Sequence, residues 1–185
     1  TSLAGQVVGN GIVVDVSRYF TRILEINEKD GYVRLQPGVI LDELNLKLAE
    51  SGFFFGPETS TSNRCMIGGM VGNNACGAHS LIYGSTRDHL RSVTVMLSDG
   101  SEAEFRDLNK AEFQAKCKGD KLENQLYRQV FSLLSRPENR EEISREFPDP
   151  SIKRRNTGYA LDILMPTCPF IEDGPPFNFS KLLAG

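Results

Sequence analysis

The stretch CMIGGMVGNNACG, residues 65–77, holds four Gly and two Asn in thirteen positions and carries no charge. Gly lets a backbone approach another surface with no Cβ in the way. Successive backbone N–H groups in such a stretch form an anion-binding concavity. Asn tolerates left-handed backbone and adds amide donors without charge. This set suits a pyrophosphate or a flavin edge better than a metal. The plainer reading is a tight turn feeding a closely packed helix, and spacing alone leaves both open. The stretch is not a P-loop, since it has no GxxxxGK[ST]. Gly9 and Gly11 form GxG without a third Gly, so the dinucleotide fingerprint of a doubly wound sheet fails too.

Outward from this stretch the chain is well patterned. Residues 12–16, IVVDV, read as a strand. ILEIN at 23–27 and YVRLQ at 32–36 flank a turn with Gly31 placed for positive φ, which predicts a hairpin. Leu41, Leu44 and Leu48 have helical spacing within 41–51, and Gly52 is the stop. FFFGPE at 53–58 and the polar loop TSTSNR at 59–64 lead into the Gly/Asn cluster. VTVML at 93–97, Asp99-Gly100 and SEAEF at 101–105 predict a second hairpin. Leu122, Leu126, Val130 and Leu133 or Leu134 predict an amphipathic core helix over 121–135. Residues 136–157 are rich in charge and Pro, a short helix-like piece follows Tyr159, and 166–177 reads as loop. The mixed order of strands, hairpins and helices indicates an α+β fold with mostly antiparallel sheet flanked by helices.

The 185 residues suffice for one ordinary core or two small subdomains. A hydrophobic content of 39% with 24% charge indicates a globular chain. A net charge of -3 and the lack of a long basic stripe argue against a nucleic-acid partner. No apolar run approaches the roughly 20 residues of a membrane span. TSLAGQVVGNG has neither the basic nor the apolar region of a signal peptide. With no initiator Met, the chain is expected to be a piece of something longer. Cys65, Cys76, Cys117 and Cys168 form no CxxC, so no metal site is expected in this segment and free thiols are the default.

TSLAGQ, LQPGV..DELN..L..SG..FGPE and CMIGGMVGNNACGAHSLIYGSTRDH occur in order. Together they resemble the FAD-linked oxidases of the vanillyl-alcohol-oxidase superfamily, with its PCMH-type FAD-binding domain. The branch of D-lactate, glycolate and 2-hydroxyglutarate dehydrogenases is the most similar. NTGYALD (156–162) and FSKLLAG (179–185) resemble the large variants that carry an iron–sulfur region further downstream. The resemblance implies that residues 1–185 are a partial FAD-binding domain: the tail of the pyrophosphate loop plus the second subdomain. The first subdomain, the substrate cap and the C-terminal parts then lie outside this chain.

By the same resemblance, Thr1, Ser2 and Leu3 close the pyrophosphate loop. Pro57, Thr59, Ser60 and Thr61 lie beside the FAD. Gly68, Gly69, Asn73, Asn74 and Gly77 form the central contact motif, and Tyr83 and Gly84 end it. The family often has Asp and Pro after its FGP; this chain has Glu58-Thr59. Cys76 and His79 sit where a covalent FAD anchor is conceivable in this superfamily. A small buried thiol and a structural hydrogen-bonder are the favoured readings, because no fixed cation activates the thiol. Arg154 and Arg155 precede NTGY. Arg155 and Tyr159 are candidate substrate contacts, a guanidinium being able to clamp a carboxylate. A solvated basic face and core packing are their respective alternatives.

The expected parent is an FAD-dependent enzyme that oxidises a small 2-hydroxy acid and passes electrons to an acceptor. It is expected in the cytoplasm or at the inner membrane surface. No catalytic base is visible here, and the family places its base and metal ligands further along. Three other readings stay open: a UDP-sugar reductase on the same fold, a non-catalytic nucleotide-binding module, and a structural domain whose Gly cluster is packing.

Overall fold

The computed structural model describes residues 8–152, 154–155 and 158–184. The chain divides into two units, Thr1–Thr86 and Arg87–Gly185.

In the first unit, β1 (Ile23–Asn27) and β2 (Tyr32–Leu35) form the predicted antiparallel hairpin, with Gly31 at φ 62° in the turn. Helix α1 (Leu41–Ala49) buries Leu41, Leu44 and Leu48, as the spacing predicts. It ends in a Schellman motif: Gly52 N–H donates to Ala49 O and Phe53 N–H to Leu48 O, with Gly52 at φ 75°. Helix α2 (Ile67–Gly72) and the single turn α3 (Ser80–Tyr83) follow. Val39, Leu41, Leu44, Leu48, Cys65, Ile67 and Met70 form the core, against which the hairpin lays Ile23, Ile26, Val33 and Leu35. The IVVDV segment is not a strand. Its backbone pairs with no other strand among the described residues, and Ile12, Val13 and Val14 are exposed. β-Branched residues favour extended backbone, but a strand also needs a partner edge.

A short turn, α4 (Thr86–His89), leads into the second unit. There β3 (Val93–Met96) pairs with β4 (Glu102–Phe105) in the register Val93↔Phe105. The Asp99 carboxylate accepts from both the N–H and the hydroxyl of Ser101, and Gly100 takes φ 81°. β5 (Asp107–Leu108) pairs across a long excursion with β6 (Phe177–Asn178). The helices are α5 (Lys110–Lys116), α6 (Leu122–Leu134), α7 (Pro137–Glu146), α8 (Leu161–Leu164) and α9 (Ser180–Leu183). The α+β class holds, with the strands arranged as three separate antiparallel pairs among the described residues. No described helix is long and apolar enough to cross a membrane.

Two helices of this unit escape the hydrophobic pattern. Helix α5 is set by a capping box in which the Asn109 side chain accepts from Glu112 N–H and the Glu112 carboxylate from Asn109 N–H. Helix α7 has Pro137 in its first turn, Glu138 at its start and Arg145 near its end, all suited to the helix dipole. It buries only Ile143, so its periodicity is faint.

The core of this unit is aromatic. Phe113 meets Phe177 with centroids 4.7 Å apart and Tyr127 at 5.5 Å, and Phe105 stacks on Phe179 at 5.0 Å. Such contacts add about 0.5–1.5 kcal/mol beyond area burial. Tyr127 is fully buried, yet its hydroxyl has no hydrogen-bond partner among the described residues. Leaving a buried hydroxyl unpaired costs about 1–3 kcal/mol. Tyr127→Phe is therefore expected to raise unfolding free energy by about 1 kcal/mol in urea titrations. Tyr127→Ala should lower it by about 3–5 kcal/mol. Burial, with Glu123 in second place, pushes the phenol far above its ordinary value. The folded form thus holds this proton more tightly than the unfolded chain. That stability is complete below about pH 10 and is lost as pH rises further. Tyr127→Phe should abolish this part of the alkaline loss, and an unchanged alkaline profile would contradict it.

Candidate functional site

The Gly/Asn cluster resolves into a short helix and a return turn in the first unit. Ile67 N–H donates to Val39 O and Gly68 N–H to Pro37 O, so these two donors serve the chain itself. A Cβ on Gly68 would lie 2.5 Å from Pro37 Cβ. Helix α2 ends in a second Schellman motif, with Asn74 N–H on Val71 O and Ala75 N–H on Met70 O. Asn74 is the left-handed residue at φ 44° and is buried. Asn is the side-chain-bearing residue most at ease there, which explains its place. The Thr86 N–H and hydroxyl both donate to Ala75 O, at 2.9 and 2.6 Å, and fix the return.

The FFFGPETST segment packs alongside. Phe55 N–H donates to Asn45 Oδ1 on α1. Gly56 lies so close to Tyr83 that a Cβ would come within 2.7 Å of the Tyr83 Cβ. Thr61 O accepts from the N–H groups of Arg64 and Cys65 and curls the loop back. The Thr59 and Thr61 hydroxyls lie 3.0 Å apart, and Thr59 donates to Cys65 Sγ at 3.3 Å. Gly77, at φ 69°, crosses the Glu58 carbonyl so closely that a Cβ would overlap the oxygen.

These contacts frame a cleft of about 290 Å³ lined by Thr59, Ser60, Thr61, Cys65, Met70, Asn73 and Ala75. Its lining has hydroxyls, an amide and two sulfurs, and no charged side chain. A space near 300 Å³ is at the small end for ligand sites and takes part of a dinucleotide rather than all of it. Uncharged donors of this kind fit a polyol or the polar edge of a flavin ring. Nothing lies within 4 Å of the position a Gly72 Cβ would take, so that end of α2 is open. The donor set and the open glycine therefore fit a portion of FAD.

The candidate residues thus sort into groups. Thr59, Ser60, Thr61 and Asn73 line one cleft. Gly68, Gly77, Asn74 and the buried Pro57 are not among its lining: Gly68 packs on Pro37, Gly77 on the Glu58 carbonyl, and Asn74 is the left-handed cap of α2. Gly69 lies within α2. Tyr83 is partly exposed and meets Phe54 edge-on at 5.2 Å, and Gly84 caps α3 at φ 75°. Cys76 is a buried free thiol. His79 Nδ1 lies 2.8 Å from Glu58 Oε1. Thr1, Ser2 and Leu3 lie outside the described residues.

The two candidate substrate contacts lie in the second unit. Arg155 Nη1 is 2.5 Å from Asp162 Oδ2 and also donates to Pro148 O, so the guanidinium has an internal carboxylate partner. Arg154 is exposed. Tyr159 is 69% exposed, which removes the core-packing alternative.

Sequence reasoning passed over Arg87. It is buried, with Nε donating to Ala184 O at 2.6 Å and Nη2 to Gly158 O at 3.3 Å. Burial pulls its guanidinium below its ordinary value, against the pull of Asp162 and then Asp88. Lys181 Nζ donates to Arg87 O, and burial lowers its pKa as well. Arg87 thus ties together the NTGY and KLLAG regions, 26 residues apart in sequence. The run STRDH carries no signal that its arginine is buried.

Three glycines give a graded test of this geometry. Gly77→Ala is expected to cost at least about 2 kcal/mol, from left-handed strain and the clash with Glu58. Gly68→Ala should also destabilise, by less than Gly77→Ala because its φ is not left-handed, since the Pro37 ring and the backbone that accepts from Gly68 N–H stand in the way. Gly72→Ala, in open helix, should stabilise by about 0.5–1 kcal/mol. Denaturant unfolding of the three variants checks the order, and an unaffected Gly77→Ala would refute the crossing.

The sequence profile of a family described as "FAD binding domain" matches residues 1–106. Two relatives match over the whole chain. The D-2-hydroxyglutarate dehydrogenase of Pantoea ananatis is 38% identical over 185 residues and that of Escherichia coli 36%, each with 17% of the relative's length covered. The mitochondrial D-lactate dehydrogenase [cytochrome] of Kluyveromyces lactis is 30% identical over 105 residues, 55% of this chain and 18% of the relative. The chain thus spans about a sixth of the length of these curated relatives. No solved structure matches it. With the profile covering more than half of its residues, and the cleft of α2 falling inside the matched span, the chain belongs to the FAD binding domain family.

Proposed function

We propose that this chain is the FAD-binding part of a longer flavin-dependent dehydrogenase that oxidises a 2-hydroxy acid of the D-2-hydroxyglutarate or D-lactate type. The observation that carries the reading is the cleft where Thr59, Ser60, Thr61 and Asn73 converge. These residues come from the two segments whose motifs resemble FAD-linked oxidases. Full-length similarity to proteins named D-2-hydroxyglutarate dehydrogenase supports the substrate class. We take the chain as the second subdomain of a PCMH-type domain, with Thr1–Leu3 as the tail of its pyrophosphate loop. The substrate cap, the electron-acceptor site and any iron–sulfur region belong to other parts of the parent. That parent works in the cytoplasm or at the inner membrane surface.

Bound FAD would supply the acceptor for the hydride leaving the substrate carbon. The chain's own contribution is placement. The Thr59, Ser60 and Thr61 hydroxyls and the Asn73 amide would hold polar edges of the cofactor. Gly69 and the open Gly72 would let it approach the α2 backbone. Gly68, Asn74, Gly77 and Pro57 would keep the walls in shape behind it. Tyr83 and Gly84 close the region. Arg155, paired with Asp162, and the exposed Tyr159 would be the chain's substrate contacts.

The full-length protein, purified without added flavin, provides the test. It is expected to be yellow, to release its flavin into the supernatant on acid precipitation, and to bleach anaerobically with D-2-hydroxyglutarate or D-lactate. Flavin retained in the pellet would revive Cys76 or His79 as an anchor. ADP binding as tight as FAD binding would favour a nucleotide module, a reading the uncharged cleft lining disfavours. A colourless protein that takes up no FAD would overturn the proposal.

A further inference from the structure

The Glu58–His79 approach joins two segments at the edge of the cleft. Glu58 directly precedes Thr59, the first cleft residue, and His79 follows two residues after Gly77. The segments 54–58 and 77–83 touch at four places. Phe54 meets Tyr83 edge-on, Gly56 packs on the Tyr83 side chain, Gly77 crosses the Glu58 carbonyl, and His79 Nδ1 lies 2.8 Å from Glu58 Oε1. The Tyr83 ring also stands edge-on to the His79 imidazole, with centroids 6.3 Å apart and planes at 87°. Among the described residues no backbone hydrogen bond links 57–61 to 76–79. The Glu58–His79 pair is thus a polar tie across this crossing, beside the close contacts of Gly56 and Gly77.

We propose that Glu58 and His79 are positioning residues for the cofactor cleft. Their pairing holds the 54–61 segment against 77–83 and so sets the Thr59–Thr61 hydroxyls against α2. Both side chains are about half exposed, 45% for Glu58 and 55% for His79. An exposed pair contributes little to global stability. Its effect falls instead on the geometry of the ligand site, where a small displacement of the hydroxyls loses affinity. Neither residue needs to touch the cofactor. This inference rests on the reading of the cleft as an FAD site.

The experiment uses the full-length protein, stripped of flavin and titrated with FAD by fluorescence quenching, alongside its thermal unfolding midpoint. Glu58→Ala and His79→Ala are each expected to raise the FAD Kd about fivefold while leaving the apoprotein midpoint within about 2 °C. The double variant should bind no worse than either single one, since both remove the same tie. The exchanged pair, Glu58→His with His79→Glu, should restore the Kd to within about twofold. In turnover assays, saturating FAD should return kcat to the parent value in each variant. Single variants that bind FAD as the parent does would overturn the proposal. So would fully additive effects, or an exchanged pair that folds and still binds weakly. If Glu58→Ala does not fold, the His79→Ala and exchanged variants decide the matter by the same criteria. A parent protein that takes up no FAD would defeat the functional reading itself. A parent that binds FAD with unaffected variants would defeat only the positioning role.

Discussion

The first unit depends on one close approach: Gly77 over the carbonyl of Glu58. No residue with a Cβ fits there, and the left-handed φ of 69° is costly for any residue but Gly. Much else follows from that crossing. It turns the chain after Asn74 back across the FFFGPETST segment, which brings His79 to Glu58 and Tyr83 to Gly56 and Phe54. On the other side of Glu58, Thr59 bonds to Cys65 and Cys65 to Met70, and all three line the cleft. The neighbouring Gly68 plays a similar part against Pro37, which docks α2 on the end of the hairpin. The glycine richness of the motif therefore serves the protein before it serves a ligand.

That division qualifies the sequence reading. The cluster was legible as a place of close approach, and two readings of it stood side by side. The structure gives a share to each. Gly68 and Gly77 are filled by the protein's own backbone and side chains, as the packing alternative requires. Gly72 stands open at the end of α2, and Asn73 lines the cleft with the hydroxyls of the 59–61 loop. Asn74 was visible as a residue tolerant of left-handed backbone, and it caps α2 in that conformation. The cleft itself was not legible, because it forms between two segments whose meeting depends on tertiary contacts. The Glu58–His79 pair was hidden for the same reason.

Legibility in the rest of the fold followed the strength of local signals. The two hairpins have turn residues that force a reversal, and α1 and α6 have apolar spacing that admits one face. IVVDV has the right residues for a strand but no pairing edge, and pairing is not a local property. Helices α5 and α7 are polar and bury few residues, so their caps carry the information that periodicity lacks. In α6 the sequence could not choose between Leu133 and Leu134. Leu134 is fully buried and Leu133 exposed, and Tyr127, two turns before Leu134 on the same face, carries the helix's contact with the aromatic core.

Electrostatics separates the two units in kind. The cleft of the first unit is lined with neutral donors, whereas the second unit buries Arg87, half-buries Lys181 and pairs Arg155 with Asp162. Burying a guanidinium is costly unless its donors are satisfied. Arg87 meets that requirement with carbonyls from residues 158 and 184, so its charge is used to organise backbone from two distant regions. The consequence for ligand binding follows from the same logic. A pyrophosphate needs cations or convergent N–H groups, and the side chains of the cleft offer neither. A flavin edge or polyol needs neutral donors and acceptors placed without strain, which is what Thr59, Thr61 and Asn73 provide. On the proposed reading, the cleft therefore orients a neutral part of the cofactor, and the charged part is met by other residues.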